Sequence, residues 1–502
     1  MNVPGAPHDR SRHRIARDVA HHVAPWVAVV VSIATGCSAR TATHVRIAYA
    51  DLIVSPSACR ADSPALLDPA DVANDYDVLA RLFRRGYAGY EQAGDEARWS
   101  EVLEAGRASL PVEPVTPRQW RDALLTEFAF LDDSHIGFWF YEGGRRRWRS
   151  VGHHRYAMIG EPRFVLRDGE MIERESGRAL IDCGGRTPAE VLARVAEDVP
   201  DEVFAPVTIE DAPLDELRCS MRDEAGETYE QEIPLRRFDL RGARGPAFER
   251  LDAPFVWLRL RTLFTDRSGA LETFVASADE VRTAPVVVLD LRRAGGGSDG
   301  YLVRWFRHLT ADELRYWETD ALESEVTLQG ALTFWRCVRE SSGATDAGGR
   351  AWLDARIRRA ERELDEALEA RGAFRDRTPA AILYPGLAPT PFAGRLLVVV
   401  DRGCGSACET AVLFARQIPG AVIVGENTEG AMKVGELRTY RLPQTGLWVS
   451  LGHRAHHDPF DGFREGYGYR PDLFVADEPE RAIAEVAMCL VEPECGARLS
   501  FR

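Results

Sequence analysis

The residue best placed to do chemistry is Ser406, in Val400-Asp401-Arg402-Gly403-Cys404-Gly405-Ser406-Ala407-Cys408-Glu409. There an apolar, strand-like run, Leu396 to Val400, gives way to a Gly-containing turn and then to a helical pattern. Such a turn exposes a side chain at a helix start, where unpaired N–H groups and the helix dipole favour negative charge. A hydroxyl in that place is a candidate nucleophile, with the Ala407 N–H as a candidate oxyanion donor. It is equally a candidate helix cap. Cys404 and Cys408 flank it one helical turn apart and read as a disulfide, as buried thiols or as a rival Cys nucleophile. A second apolar run, Val286 to Leu291, ends in Arg292-Arg293-Ala294-Gly295-Gly296-Gly297-Ser298. Its glycines let backbone N–H groups approach a ligand closely, and it lacks the Gly-Lys-Ser/Thr ending of a phosphate loop.

A serine hydroxyl is a poor nucleophile until a base takes its proton, and imidazole titrates near pH 6.5. His135 ends the polar turn Asp132-Asp133-Ser134-His135, which follows a helical stretch. His453, His456 and His457 sit in another part of the chain, with no Cys or carboxylate set at metal-ligand spacing, and read as surface or pocket-rim residues. No metal or organic cofactor is called for.

Four segments together resemble the tail-specific, or C-terminal-processing, serine peptidase family. They are Leu289-Asp290-Leu291-Arg292 with Gly295-Gly296-Gly297, then Gly405-Ser406-Ala407-Cys408-Glu409, Val424-Gly425-Glu426-Asn427-Thr428-Glu429-Gly430, and Glu465-Gly466-Tyr467-Gly468-Tyr469-Arg470-Pro471-Asp472. The resemblance covers about 70–140 and 250–480. Members of the usual type pair the serine with a Lys directly after the Gly of the third segment, and here that position is Ala431. Lys433, two residues on, replaces it only if the loop is rearranged. The chain is more similar to the tricorn-like branch, which uses a Ser-His pair and a late Glu. That resemblance implies Ser406 as nucleophile, His135 as general base, Ser134 and Glu465 as the groups orienting the imidazole, and Gly295 or Gly296 completing the oxyanion hole with Ala407. Peptides or proteins are then the implied substrates, cleaved through an acyl-enzyme. The alternative is a catalytically silent member that keeps the fold as a ligand- or peptide-binding lipoprotein. Ala431 favours it, and Ser134-His135 with Glu465 oppose it.

These residues must be carried by an α/β body. From about 246, apolar strands alternate with helices: Phe255 to Phe264, Val286 to Leu291, Leu396 to Val400 and Ala421 to Val424 as strands, Ala270 to Val281, Tyr301 to Leu309 and Cys408 to Ile418 as helices. Continuous apolar strands argue for a sheet covered on both faces, and the resemblance implies a crotonase-like core over 246–490. Residues 310–391 read as an insertion with one long helix, striped by Leu353, Ile357, Ala360, Leu364 and Leu368. Before the core, 66–150 reads as a helical region in which Thr116-Pro117 starts a helix burying Trp120, Leu124, Leu125, Phe128 and Leu131. Residues 151–240 read as a β-rich module, weakly PDZ-like, in which a helix follows Ala179 to Thr187.

The first 36 residues look like a targeting segment: Arg10, Arg12, Arg14 and Arg17 precede an apolar run from Val23 to Ile33, and Ala-Thr-Gly leads into Cys37. This resembles a bacterial lipoprotein signal with lipidation at Cys37, although Ala34 stands where that signal usually has Leu; a cleaved secretory signal and a disordered tail are the alternatives. A tether over 37–65 follows, and the resemblance implies a cell-envelope protein anchored on the periplasmic or extracellular face. Eight further cysteines, an even number, suit disulfide pairing in an oxidising compartment or, equally, buried free thiols. A net charge of -15 argues against a nucleic-acid partner, because phosphate binding needs clustered Lys and Arg.

Overall fold

The uniformly apolar strands belong to a six-stranded sheet of order Phe248–Leu251, Val256–Leu260, Val286–Asp290, Arg395–Val400, Val422–Gly425 and Leu473–Phe474. The first pair is antiparallel and every later pair parallel. These strands need apolar residues on both faces because both faces are covered. On one side Val287, Leu289, Leu396 and Val398 pack with Leu271, Phe274, Trp305 and Phe414 of three helices. On the other, Val286, Val288, Leu397 and Val399 pack with Ile483 and Ala487 of the helix Glu480–Cys489. The protein is described here by a computed structural model over residues 52–131, 133–151, 156–160, 162–198, 201–210, 216–237, 245–264, 269–342, 347–474 and 480–489. All of these fall in one compact unit. The signal segment, Cys37, the tether as far as 51 and Asp132 lie outside the described residues.

A second sheet runs in the order Arg375–Tyr384, Leu314–Ser324, Trp448–His457, Gly137–Glu142 and Arg145–Ser150, and Val434–Arg441 also pairs with Trp448–His457. It places the strand that follows His135 against a strand more than 300 residues later, with Gly137 opposite Ser450. Helices Pro69–Gly86 and Pro117–Glu127 cover it, burying Leu79, Leu82, Phe83, Leu124 and Phe128 against Phe138, Val449 and Leu451. The Thr116-Pro117 start forms as expected, with a capping box between Thr116 and Gln119. Trp317 Nε1 donates to Thr410 Oγ1 at 3.1 Å, tying this sheet to the helix that begins after Ser406.

The segment 310–391 differs from the single helix expected. Two antiparallel strands, Leu314–Ser324 and Arg375–Tyr384, are joined by two helices, Glu325–Ser342 and Ala347–Arg371. The apolar stripe of the second helix packs on Leu328, Leu332 and Trp335 of the first. The first helix is buried over nearly all of Glu325 to Thr333. In the β-rich module eight strands form one sheet, pinned by a Cys183–Cys219 disulfide. The helix expected there is a single turn, Pro188–Val191, and the residues after it form the strand Leu192–Asp198. Apolar spacing over so few residues does not separate helix from strand.

Candidate active site

The Ser406 turn is built by side chains that bind its backbone. Asp401 Oδ1 accepts the Gly403 N–H at 2.9 Å and the Arg293 N–H at 2.8 Å, coupling the turn to the Gly-rich loop. Burial pushes Asp401 up to about 6, against the pull of those two donors. The Arg402 guanidinium turns inward and donates to the carbonyls of Thr428, Tyr467 and Gly466 at 2.6, 2.9 and 2.9 Å. The third and fourth motif segments are thereby strapped beneath the second. Cys404 and Cys408 form a disulfide, buried on both sides, with Ser406 midway.

Ser406 has φ 53° and ψ -122°, a strained backbone for a non-glycine residue and far from the extended conformation of a helix cap. Its hydroxyl meets His135 Nε2 at 3.1 Å across a sequence separation of 271 residues. The Gly295 N–H is committed to the Gly403 carbonyl at 2.8 Å. Among the described residues the N–H groups of Gly296 and Ala407 have no hydrogen-bond acceptor, and a Cβ on Gly296 would stand 2.9 Å from Ser406 Cβ. The pair of free donors beside the hydroxyl is therefore Gly296 and Ala407.

His135 is held through its backbone. Its N–H donates to Asp133 Oδ1 at 2.8 Å, and its carbonyl accepts from Ser450 Oγ at 3.0 Å. Its Nδ1 is buried with no hydrogen-bond partner. The arrangement can do one piece of chemistry directly: an imidazole nitrogen takes a hydroxyl proton beside two backbone donors aimed at developing negative charge.

Residues 257–475 match the model of peptidase family S41. Over those residues the chain is similar to that family. Mature CPAF is similar in structure at 15% identity and a TM-score of 0.46, over 86% of this chain and 98% of that one. The photosystem II D1 C-terminal processing protease is similar at 15% identity and 0.37, over 83% and 97%. Tricorn protease is similar at 13% identity and 0.36, over 85% of this chain and 37% of that one. None of the curated proteins compared with the chain matches it.

The structure brings together Ser406, His135, Ala407 and Gly296. Ser134 makes no side-chain hydrogen bond to His135 among the described contacts. Glu465 Oε2 accepts the N–H groups of Met432 and Lys433 at 3.1 and 2.7 Å, and Glu465 makes no ion pair with His135 among the described residues. Lys433 is exposed, and Ala431 is buried with its N–H on Glu409. His453 and His456 are buried, not at a rim, because the strand Trp448–His457 is covered along nearly all its length. His453 lies between the Glu436 carbonyl and Arg438, at 2.6 and 2.9 Å, and burial pushes it well down. Burial, with His135 and Arg454 nearby, pushes His456 down to about 3, and His457 alone of the three is exposed. Among the described residues no cluster of His, Cys, Asp or Glu has a metal-holding arrangement.

Two residues of the site escape a reading of the sequence for nucleophiles and bases. Glu409 is fully buried, and its carboxylate accepts from Thr428 Oγ1 and the N–H groups of Gly430, Ala431 and Ser406. Its place three residues after the serine was the available signal, since a helix N3 carboxylate reaches back to the residue before the helix. Asp133 is the other, and the Asp-x-His spacing of a side-chain-to-backbone turn was its signal.

Proposed function

We propose that this chain is a serine peptidase of the tricorn-like branch, in which Ser406 is the nucleophile and His135 the general base. The observation that carries this reading is the 3.1 Å contact between His135 Nε2 and Ser406 Oγ. Ser406 Oγ attacks the scissile carbonyl carbon as its proton passes to His135 Nε2. The oxyanion that forms is met by the N–H groups of Ala407 and Gly296. His135 then returns the proton to the leaving amine, the C–N bond breaks and an acyl-enzyme remains. A water repeats the cycle on the ester, giving up its proton to His135, which passes it to Ser406 Oγ as the carboxylic acid leaves. Each oxyanion donor contributes roughly 3 kcal/mol in such sites, and base assistance on the order of 100- to 10,000-fold in rate.

Supporting the wider reading, the parallel sheet with its strand–turn–helix at Ser406 fits a crotonase-like core, and the 151–240 module fits a PDZ-like accessory unit. Cys37 is the proposed lipid anchor, tested by loss of metabolic lipid labelling in Cys37→Ser. A silent binding protein is the competing reading, favoured by Ala431 and opposed by the Ser406–His135 contact.

A fluorophosphonate probe tests the enzyme. Wild type is expected to label, Ser406→Ala not at all, and His135→Ala more slowly by about two orders of magnitude or more. Unreactive wild type carrying an apolar ligand would overturn the assignment in favour of the binder.

A further inference from the structure

We propose that Asp133, braced by Tyr87, is the positioning residue of His135: it fixes the backbone bearing the imidazole and sets negative charge against Nδ1 as Nε2 takes the Ser406 proton. This rests on the Ser406–His135 reading above and names the carboxylate that completes it.

Asp133 is 3% exposed, and both of its oxygens are spoken for. Oδ1 accepts the His135 N–H at 2.8 Å, closing the turn that aims the ring, and Oδ2 accepts the Tyr87 hydroxyl at 2.8 Å. Tyr87 is itself buried and stands where the helix Pro69–Gly86 ends. The next residue, Ala88, donates its N–H to the Gly452 carbonyl at 2.9 Å, two residues beyond the Ser450 that holds the His135 carbonyl. The N-terminal helix and the late strand thus grip the same imidazole-bearing segment from two sides.

The charge argument uses the same residue. Asp133 Oδ1 lies 4.0 Å from His135 Nδ1, which is buried and otherwise unpartnered. That is too long for a hydrogen bond, and close enough for a buried carboxylate to stabilise an imidazolium. Glu465 makes no ion pair with His135 among the described residues, and its Oε2 already serves two backbone donors. Burial raises Asp133, while the His135 charge, the Tyr87 hydroxyl and Lys433 hold it down; Glu465 also faces Asp133, and His456 lies beside His135.

The test is the pH profile of fluorophosphonate inactivation of the full chain, in wild type, Asp133→Asn, Tyr87→Phe and Glu465→Gln. Asp133→Asn is expected to slow inactivation about 10- to 100-fold and move the acid limb of the profile to lower pH, because an imidazolium without its carboxylate loses its proton more readily. A loss of packing alone would lower the rate without moving the limb. Tyr87→Phe keeps the carboxylate and loses only its brace, so a several-fold slower rate is expected; it carries the test if Asp133→Asn does not fold. Wild-type rate and limb in Asp133→Asn, or in Tyr87→Phe where only that variant folds, overturns the proposal. A shifted limb in Glu465→Gln alone transfers the role to Glu465. Wild type that does not label fails the Ser406–His135 reading instead, and is distinguished by that.

Discussion

Glu409 Oε2 holds the Ala431 N–H at 3.0 Å, and the same oxygen holds the Ser406 N–H at 3.2 Å. The position where the Ser-Lys type of relative is expected to carry its amine is therefore a backbone anchor for the nucleophile turn. Burial pushes this carboxyl from 4.5 up to about 7, although Thr428 and Gly430 donate to it. The native state then holds the proton more tightly than the unfolded chain does. The stabilising contribution is complete below about pH 4.5 and is lost as pH rises through about 7, on the order of 3 kcal/mol in all. In Glu409→Gln that loss disappears. The melting temperature of wild type relative to the variant is expected to fall between pH 5 and pH 8, and a difference independent of pH would refute the assignment.

Gly296 tests how closely the Gly-rich loop sets the Ser406 hydroxyl among its proposed donors. Its φ is not positive, so an alanine fits the backbone, but the added Cβ would stand 3.3 Å from Ser406 Oγ and 2.9 Å from Ser406 Cβ. Gly296→Ala is expected to lower kcat about 100-fold or more by displacing the hydroxyl from its donors, with a melting temperature close to wild type. Gly295→Ala should act differently. Gly295 has φ 62° and its N–H is tied to Gly403, so that change should cost stability as well. If both variants keep full activity, the oxyanion donors are elsewhere.

How far the site was legible in the sequence depended on the kind of force that places each residue. The parallel strands were visible because burial on both faces requires unbroken apolar runs, as in Val286–Asp290 and Arg395–Val400. Ser406 and His135 were visible through the chemistry of their types and their place in motifs. The backbone partners of Glu465 were not, because a carboxylate in a Gly-rich turn can satisfy N–H groups as well as face an imidazole, and only packing decides. His453 and His456 misled for a related reason: their strand is covered on both faces, so no local period marks either residue as buried.

Asp75 shows how the helical region and the second sheet are joined. The carboxylate is fully buried on the helix Pro69–Gly86 and accepts the Gln444 N–H at 3.1 Å, with the Thr445 N–H and hydroxyl both at 2.6 Å. These donors lie in the turn between Val434–Arg441 and Trp448–His457, the strand that carries Ser450. Asp75→Ala leaves buried N–H groups without acceptors, at a cost of about 3 kcal/mol. Urea unfolding is expected to show a lower midpoint with an unchanged slope. A midpoint within error of wild type would mean that water replaces the carboxylate at no cost.

The Cys404–Cys408 disulfide closes a loop only four residues in sequence separation, so its effect through chain entropy is modest, about 2 kcal/mol. Its position gives it a larger role than that figure. It spans Ser406, whose backbone is strained, and the Ala407 N–H proposed for the oxyanion. Hydrogen bonds from Asp401, Glu409 and the Glu429 N–H hold the same turn from outside the loop. If the covalent closure is what keeps the strained conformation, replacing both cysteines with alanine should lower kcat at least about tenfold, with KM nearly constant and a melting temperature only a few degrees lower. If the surrounding hydrogen bonds suffice, the double variant should keep its kcat and lose only the small entropic stabilisation. Steady-state kinetics beside thermal melts of the same preparation separate the two, and an unchanged kcat would remove the disulfide from the account of catalysis.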